Sequence, residues 1–418
     1  MRVLVFTQHY PSRREPMIAP WSQHTYRALA RHCDVRLIAP MPWWTRARQA
    51  PLELIRAPRE SHTGIDATFP SFWSVPGLPL LHATAMHQTL RPLLAEVRRQ
   101  FPWDVLLAAW AYPDTVAAAR FAEETGTPLV TTVLGSDMNE VARWPSVSRQ
   151  IAKGLRRCQR VVAVSGALAD RVVESGVPRD RVVVLHNAVD GARFSIQDKA
   201  PARQKLGARE DVKLVVYAGG HLPEKGVDVL IEAMPSVVAA HPDVLYLVLG
   251  ATHPHVRKEH GEAYRSSLQA RVRELGLESR VRMAGWALPK DIPGYMAACD
   301  VFCLPSRREG CPNVVLEALA SGRPVVGTRV GGVPELVREG REGEDRNGML
   351  VPAGDPDALA QALAAAVDRS WDPEALRATV RSLSWNQVGD RYWDILQNVV
   401  REWRTQPRGA QGWATSEA

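Results

Sequence analysis

With 418 residues, an apolar share of 45% and a charged share of 23%, the chain has the make-up of a soluble globular protein long enough for two or three domains. It holds no run of about 18 apolar residues to span a membrane, and its five cysteines (Cys33, Cys158, Cys299, Cys303, Cys311) are scattered without a Cys-x-x-Cys pair, which argues against a disulfide framework or zinc site. The net charge of +7 sits in one place: residues 1–100 hold 13 Lys+Arg and 6 Asp+Glu, while the other 39 basic and 39 acidic residues cancel.

Such a one-sided basic field suits an anionic lipid surface or a phosphate-bearing acceptor; it also fits plain solubility. Nucleic acid is set aside, since no recognition motif accompanies the charge. The chain opens on Met1-Arg2-Val3-Leu4-Val5-Phe6-Thr7, an apolar run too short for a signal peptide and suited to a first buried strand, so cytoplasmic residence is expected. Short β-branched runs then alternate with helical patterns, which reads as parallel α/β. In the first half, strands are expected at 3–6, 35–39, 105–109, 129–134, 161–164 and 182–185.

Residues 40–81 break the alternation with prolines and aromatics, among them Trp43, Trp44, Phe69, Phe72 and Trp73. With Arg46, Arg48, Arg56, Arg59, Arg91, Arg98 and Arg99 they have the ingredients of an interfacial membrane patch; alternatively they line an internal cleft or cover the sheet. Two later strands are followed by Trp110-Ala111-Tyr112-Pro113-Asp114 and Leu134-Gly135-Ser136-Asp137, whose aspartates, just past strand ends, also fit turn and cap residues.

After a break at 186–190 and the polar segment 195–211, a second set of strands is expected at 214–217, 244–249, 281–284, 301–304, 324–326 and 349–351. Six and six suggest two Rossmann-like domains, 1–190 and 200–382, facing across a cleft with a hinge near 187–200. Helices at 356–368 and 373–382 close the second. A helix of about 386–404 carries an apolar stripe from Trp385 to Trp403, and segment 383–405 is expected to cross back onto the first domain. Residues 406–418 read as a disordered tail.

The chemistry-bearing stretches follow strands of the second set. Strand 214–218 runs into Gly219-Gly220-His221-Leu222-Pro223-Glu224-Lys225-Gly226 and then helix 227–240. Paired glycines let backbone approach a ligand, and Lys225 just before a helix start suits a diphosphate; the alternative is an ordinary turn with a solvated lysine. The spacing is neither the dinucleotide fingerprint nor a P-loop. Arg282-Met283-Ala284-Gly285-Trp286 is a strand with a glycine turn, able to seat a nucleobase through backbone groups. Strand 301–304 leads through Glu309-Gly310-Cys311-Pro312 into a helix expected from near Asn313 to Gly322, so Glu309 lies before that helix and Glu317 within it. Flanking a helix-end phosphate, the two carboxylates need neutral partners, and the hydroxyls of a nucleotide sugar meet that need; as bare spacing they also fit a surface loop. Gly331-Gly332-Val333-Pro334-Glu335 forms a further strand-end loop.

The order Gly-x-x-Pro-x-Lys-Gly (220–226), Pro-Ser-x-x-Glu-Gly-x-x-Asn-Val-Val-Leu-Glu-Ala (305–318), Gly-Gly-x-Pro-Glu (331–335) and Val-Pro-x-Gly-Asp-Pro (351–356) resembles the retaining glycosyltransferases of family four with the GT-B fold. Within that family the chain is most similar to the bacterial cell-surface polysaccharide branch, of teichuronic-acid and exopolysaccharide type, over residues 1–400. The resemblance implies transfer of a hexosyl unit from a UDP- or GDP-sugar, with retention and without a metal, to a lipid-linked or polysaccharide acceptor. It implies Glu309 and Lys225 as catalytic groups, on the donor sugar hydroxyls and the diphosphate, together with Asp137. The donor contacts would be Gly219, Gly220, His221, Gly285, Trp286, the loop Gly310, Cys311, Pro312, Asn313 and Val314, and Glu317 on the ribose. Tyr112, Asp114 and Ser136 would face the acceptor. The chain departs from the pattern at His221, where the family has Arg, at Leu134, where it has His, at Pro312, which lacks an N–H, and in the early loop Glu15–Trp21, which lacks a glycine. Leu134 and His221 also fit an inactive nucleotide-sugar-binding partner, and a sugar-nucleotide epimerase on the same fold is a third class.

Overall fold

The structure, a computed structural model, describes residues 1–49, 57–139, 141–250, 258–340 and 346–405. The chain forms two compact units, one built from Met1–His186 with the segment from Trp385, the other from Asn187–Ser384.

The strands of the first unit are β1 (Arg2–Phe6), β2 (Asp34–Ile38), β3 (Met41–Pro42), β4 (Arg59–Glu60), β5 (Asp66–Thr68), β6 (Ser71–Phe72), β7 (Val105–Ala109), β8 (Leu129–Val133), β9 (Arg160–Ala163) and β10 (Val182–Val184). Eight of them form one sheet, in the order β10-β9-β8-β7-β1-β2-β5-β4, parallel except where β4 meets β5; β3 and β6 pair separately. Val3, Leu4, Val5 and Phe6 are wholly buried, because a central parallel strand is covered on both faces and accepts an unbroken apolar run. The cover on one side includes the last helix, Trp385–Thr405, which buries Val388, Tyr392, Leu396 and Val399 at helical spacing. It packs closely on the helix Ser22–Leu29: a Cβ at Gly389 would lie 2.6 Å from the Cβ of Ala28. The Tyr392 hydroxyl bonds that of Thr132 at 2.8 Å, and Glu402 accepts from Arg160 at 2.9 Å.

The second unit carries β11 (Lys213–Ala218), β12 (Val244–Leu249), β13 (Val281–Gly285), β14 (Val301–Leu304), β15 (Val325–Thr328) and β16 (Gly348–Val351), all parallel, in the order β13-β12-β11-β14-β15-β16. Its core gathers Val215, Tyr217 and Tyr246 from the sheet with Leu230, Met234 and Val237 from the helix Val227–Ala240 and Leu359 and Leu363 from the helix Pro356–Asp368.

The twelve expected strands are all present, and both sheets are Rossmann-like. Three expectations change. Segment 40–81 is not irregular throughout: it contains four short strands and the helix Trp43–Gln49. The helix expected over 373–382 stops at Ala378. Of the aromatic and basic residues read together as a patch, Phe69 and Phe72 are buried, and Arg46 is buried with its guanidinium on the Phe69 carbonyl. Arg56, the side chain of Arg48 and the tail 406–418 lie outside the described residues.

Candidate functional site

In the second sheet the strand order turns at β11 and β14, neighbours whose successors lie on opposite sides. In open α/β sheets a ligand crevice forms outside the carboxyl ends at such a point, and the two glycine-containing loops follow these two strands. Gly226, at φ +67°, starts the helix Val227–Ala240, and a Cβ there would lie 2.0 Å from the Pro305 carbonyl oxygen, so only glycine lets the β14 loop close on that helix start. The closure is clasped by Arg307, whose N–H donates to the Glu224 carbonyl at 2.7 Å and whose guanidinium grips Asp228 at 2.8 and 2.6 Å.

The clasp sets Lys225 beside Glu309. The Lys225 ammonium donates to Oε1 of Glu309 at 2.7 Å, and the Ser306 hydroxyl donates to the same oxygen at 2.7 Å. Among the described residues Oε2 receives no donor, which leaves that oxygen open to one. Gly331 holds the loop from the far side: at φ +52°, its Cβ would lie 2.0 Å from the Glu309 carbonyl oxygen, and the Gly332 N–H donates to the Gly310 carbonyl at 2.8 Å.

Beyond Gly310 the chain enters the helix Asn313–Ala320 through Pro312, and no side chain caps that helix start. Its first N–H groups are therefore open to an anion, as at other helix N-termini. Asn187 donates to the Cys311 carbonyl at 3.0 Å, while burial pushes the Cys311 thiol up to about 12 and leaves it inert. The Oδ1 of Asn313 is buried without a partner. Glu317, in the second turn, is partly buried; desolvation pushes its carboxyl up to about 7 against the opposing pull of Arg193, and no donor among the described residues reaches it.

The glycine loop after β11 is a close-approach device. The Tyr217 hydroxyl donates to the Gly220 carbonyl at 2.9 Å and would stand 2.6 Å from a Cβ on Gly219. His221, expected among the donor contacts in the place of the family's Arg, offers no positive charge: it is wholly buried, both ring nitrogens lack partners, and burial followed by the charge of Arg265 holds its pKa down at about 4. It is a neutral imidazole at physiological pH. Gly285, at φ +74°, accepts from the Gly250 N–H at 2.7 Å, and Trp286 beside it is about half exposed, at 48%.

At the carboxyl edge of the first sheet the aspartates turn inward. Asp137 is fully buried, and its oxygens accept from the N–H groups of Gly135 (2.7 Å), Ala111 (2.9 Å), Met138 (3.0 Å) and Leu134 (3.1 Å). With both oxygens occupied, it is a positioning residue of the loop, not a group that reaches reacting atoms. Asp114, also fully buried, accepts from the N–H and side-chain amide of Gln8 at 2.7 Å each, and desolvation raises its pKa to about 7. Tyr112 is buried with its hydroxyl on the Pro79 carbonyl, whereas Ser136 is exposed.

Sequence reasoning had not singled out Ser306 or the Arg307–Asp228 clasp. Ser306 stood in the Pro-Ser-x-x-Glu pattern; the clasp, spanning 79 positions, left no local signal. Among the described residues no three His, Cys, Asp or Glu side chains are grouped to hold a metal ion, and no helix is long and apolar enough to cross a membrane.

The profile described as "Glycosyltransferase Family 4" matches residues 22–193, and "Glycosyl transferases group 1" matches 212–369. WcaL of Escherichia coli, named as a colanic acid biosynthesis glycosyltransferase, is 30% identical over 304 residues, 70% of this chain and 68% of its own. The chain belongs to the family 4/group 1 glycosyltransferases. Another relative of this glycosyltransferase is TuaC of Bacillus subtilis, named for teichuronic acid biosynthesis and 28% identical over 404 residues, 90% of this chain and 91% of its own. Among solved structures, Anabaena Alr3699/HepE in complex with UDP matches with a TM-score of 0.73 at 21% identity, over 95% of this chain and 100% of its own. At that identity the likeness is one of fold, and the fold is GT-B.

Proposed function

We propose that this glycosyltransferase moves a hexosyl unit from a UDP- or GDP-sugar, with retention, to a lipid-linked or polysaccharide acceptor in cell-surface glycan synthesis. The observation that carries the reading is the Lys225–Glu309 pair at the switch point of the second sheet, 2.7 Å apart with Glu309 Oε2 left open. Lys225 keeps two further N–H donors for a diphosphate, and the uncapped start of Asn313–Ala320 offers backbone N–H groups to the same anion. Glu309 Oε2 then accepts from a sugar hydroxyl and Glu317 from the ribose. Charge that develops on the departing diphosphate meets donors already in place, so the bond to the anomeric carbon breaks at little reorganisation cost, and the acceptor attacks from the face that the diphosphate leaves. Because the positive charge comes from the chain, turnover should persist in EDTA. The names of WcaL and TuaC support the polysaccharide setting, and the UDP in the Alr3699/HepE structure supports a nucleotide-sugar donor.

The first unit supports a lipid-side acceptor. Trp73, Val75, Leu78, Leu80 and Leu81 are 44–63% exposed, and Trp144 is 60% exposed at the start of the helix Pro145–Arg156. Gln150 of that helix donates to the Leu80 carbonyl at 3.0 Å, joining the two apolar stretches. Residues 141–157 hold five cations, among them the exposed Arg143, Arg149 and Lys153, and no acid. Apolar surface beside basic charge is the combination that inserts at an anionic bilayer.

Release of nucleoside diphosphate from a panel of UDP- and GDP-hexoses, with membrane extract as acceptor, tests the activity. Binding without turnover on every donor would identify an inactive nucleotide-sugar-binding protein, and isomerised donor without acceptor dependence would identify an epimerase; either result rejects the transferase.

A further inference from the structure

The first sheet has its own switch point, where β1 and β7 are neighbours and the strands beyond them lie on opposite sides. Just past the carboxyl ends of these two strands stand His9 and Trp110, both partly exposed, with ring centroids 3.9 Å apart and planes 27° from parallel. The place is where this class of sheet receives a ligand. Trp110 has φ +85° and ψ +121°, a backbone state costly for any side chain and rare for a bulky one. It is held there on every side. Its N–H donates to the Thr132 carbonyl at 2.8 Å, and its carbonyl accepts from the Thr115 hydroxyl at 2.8 Å. The next residue, Ala111, donates to Asp137, while Asp114 holds Gln8, the residue before His9. Thus the two buried carboxylates of this unit each fix the backbone beside one of the two rings. A glycine at 110, with no Cβ, would adopt the same conformation at less cost, so the indole has a use that backbone geometry alone does not supply.

We propose that His9 and Trp110 form a stacking platform for a pyranose ring, and that the ring is the saccharide of the acceptor. One face of a pyranose presents C–H groups whose partial positive charge meets the negative face of an aromatic ring, while its hydroxyls stay at the rim. His9 backs one face of the Trp110 indole and stiffens it, and the sugar stacks on the other face of the indole. Calling the sugar the acceptor's rests on the transferase reading, with the donor carried by the second unit.

The test uses the full chain with Trp110→Gly and, as a control, Trp144→Gly, in saturation-transfer NMR with millimolar methyl α- and β-glucopyranoside, mannopyranoside and galactopyranoside. Calorimetry with UDP, GDP and their hexose conjugates accompanies it. In the wild-type chain the ring C–H protons of at least one glycoside should be saturated. Trp110→Gly should weaken that glycoside roughly threefold to tenfold and leave the affinity for the nucleotide sugars unchanged, without lowering Tm; Trp144→Gly should leave the glycoside signal intact. A glycoside signal that survives Trp110→Gly, or that the wild-type chain never gives, overturns the platform. A loss confined to hexose conjugates, with UDP and GDP affinity kept, moves the platform to the donor sugar and overturns the acceptor assignment. Failure of the wild-type chain to bind any nucleotide sugar would strike the transferase reading and with it the acceptor assignment, but not the platform, because the glycoside contact is read separately.

Discussion

The two sheet edges each present two carboxylates, and the pairs live in opposite conditions. At the first edge Asp114 and Asp137 are fully buried, and their oxygens are occupied by N–H groups of the chain itself. At the second edge Glu309 keeps one oxygen open and Glu317 has no donor at all among the described residues. The same chemical group therefore builds the loop in one unit and keeps open oxygens in the other. The difference is set by what the neighbouring backbone points at it, and residue type alone does not reveal it.

That contrast predicts opposite mutational signatures, and the largest effect falls on Glu309. Glu309→Gln should lower turnover by roughly 10²–10³-fold, as for removal of one preorganised transition-state contact, while Tm hardly moves. A Tm loss matching the activity loss would return Glu309 to the structural class. Next, Asp137→Ala strands the N–H groups of Ala111, Leu134 and Gly135, while that of Met138 keeps the Gly135 carbonyl at 3.0 Å. At about 1–3 kcal/mol for each unsatisfied group, less what water recovers, it should cost several kcal/mol in chemical denaturation. A change below about 1 kcal/mol would remove Asp137 from the framework.

Lys225→Ala should weaken UDP or GDP binding about ten- to hundredfold in calorimetry, the range of a lost charged hydrogen bond; unchanged affinity would refute the diphosphate contact. The smallest effect is the pH response of Glu317. Its folded pKa of about 7 lies above the ordinary 4.5, so its contribution to stability is full below pH 4.5 and is lost as pH rises through 7. Affinity for the nucleoside diphosphate should change the other way, rising between pH 6 and 8 as the carboxylate ionises. Glu317→Gln should flatten that rise, and a rise that persists would assign it elsewhere.

Much of this was legible in the sequence. The twelve strands followed from apolar runs bounded by turn residues, and the Lys225, Glu309 and Glu317 loops followed from their places after strands. What stayed hidden depends on long-range partners. Asp114 meets Gln8 across 106 positions, so no local pattern could show that it is sealed in. His221 reads as a substitute cation until its burial makes it neutral. The aromatic segment after residue 40 announced an apolar surface, yet packing turned Phe69 and Phe72 inward and left Trp73 and Leu78 outside. The two-residue strands there are too short for periodicity to register.

The last helix gives the order of synthesis a physical meaning. The second unit leaves the first after His186 and returns at Trp385, and its two ends are tied by a bridge between Val189 and Ser384, with the Val189 N–H on the Leu383 carbonyl at 2.9 Å. It is thus an insertion with joined ends, all of whose strands emerge from the ribosome before the helix Trp385–Thr405. The first unit starts earlier but finishes later, since Ala28, Thr132 and Arg160 must wait for Gly389, Tyr392 and Glu402. A released chain cut back to residues 1–384 should therefore hold a protease-resistant second unit and a first unit still open to cleavage, the reverse of the usual N-terminal-first sequence.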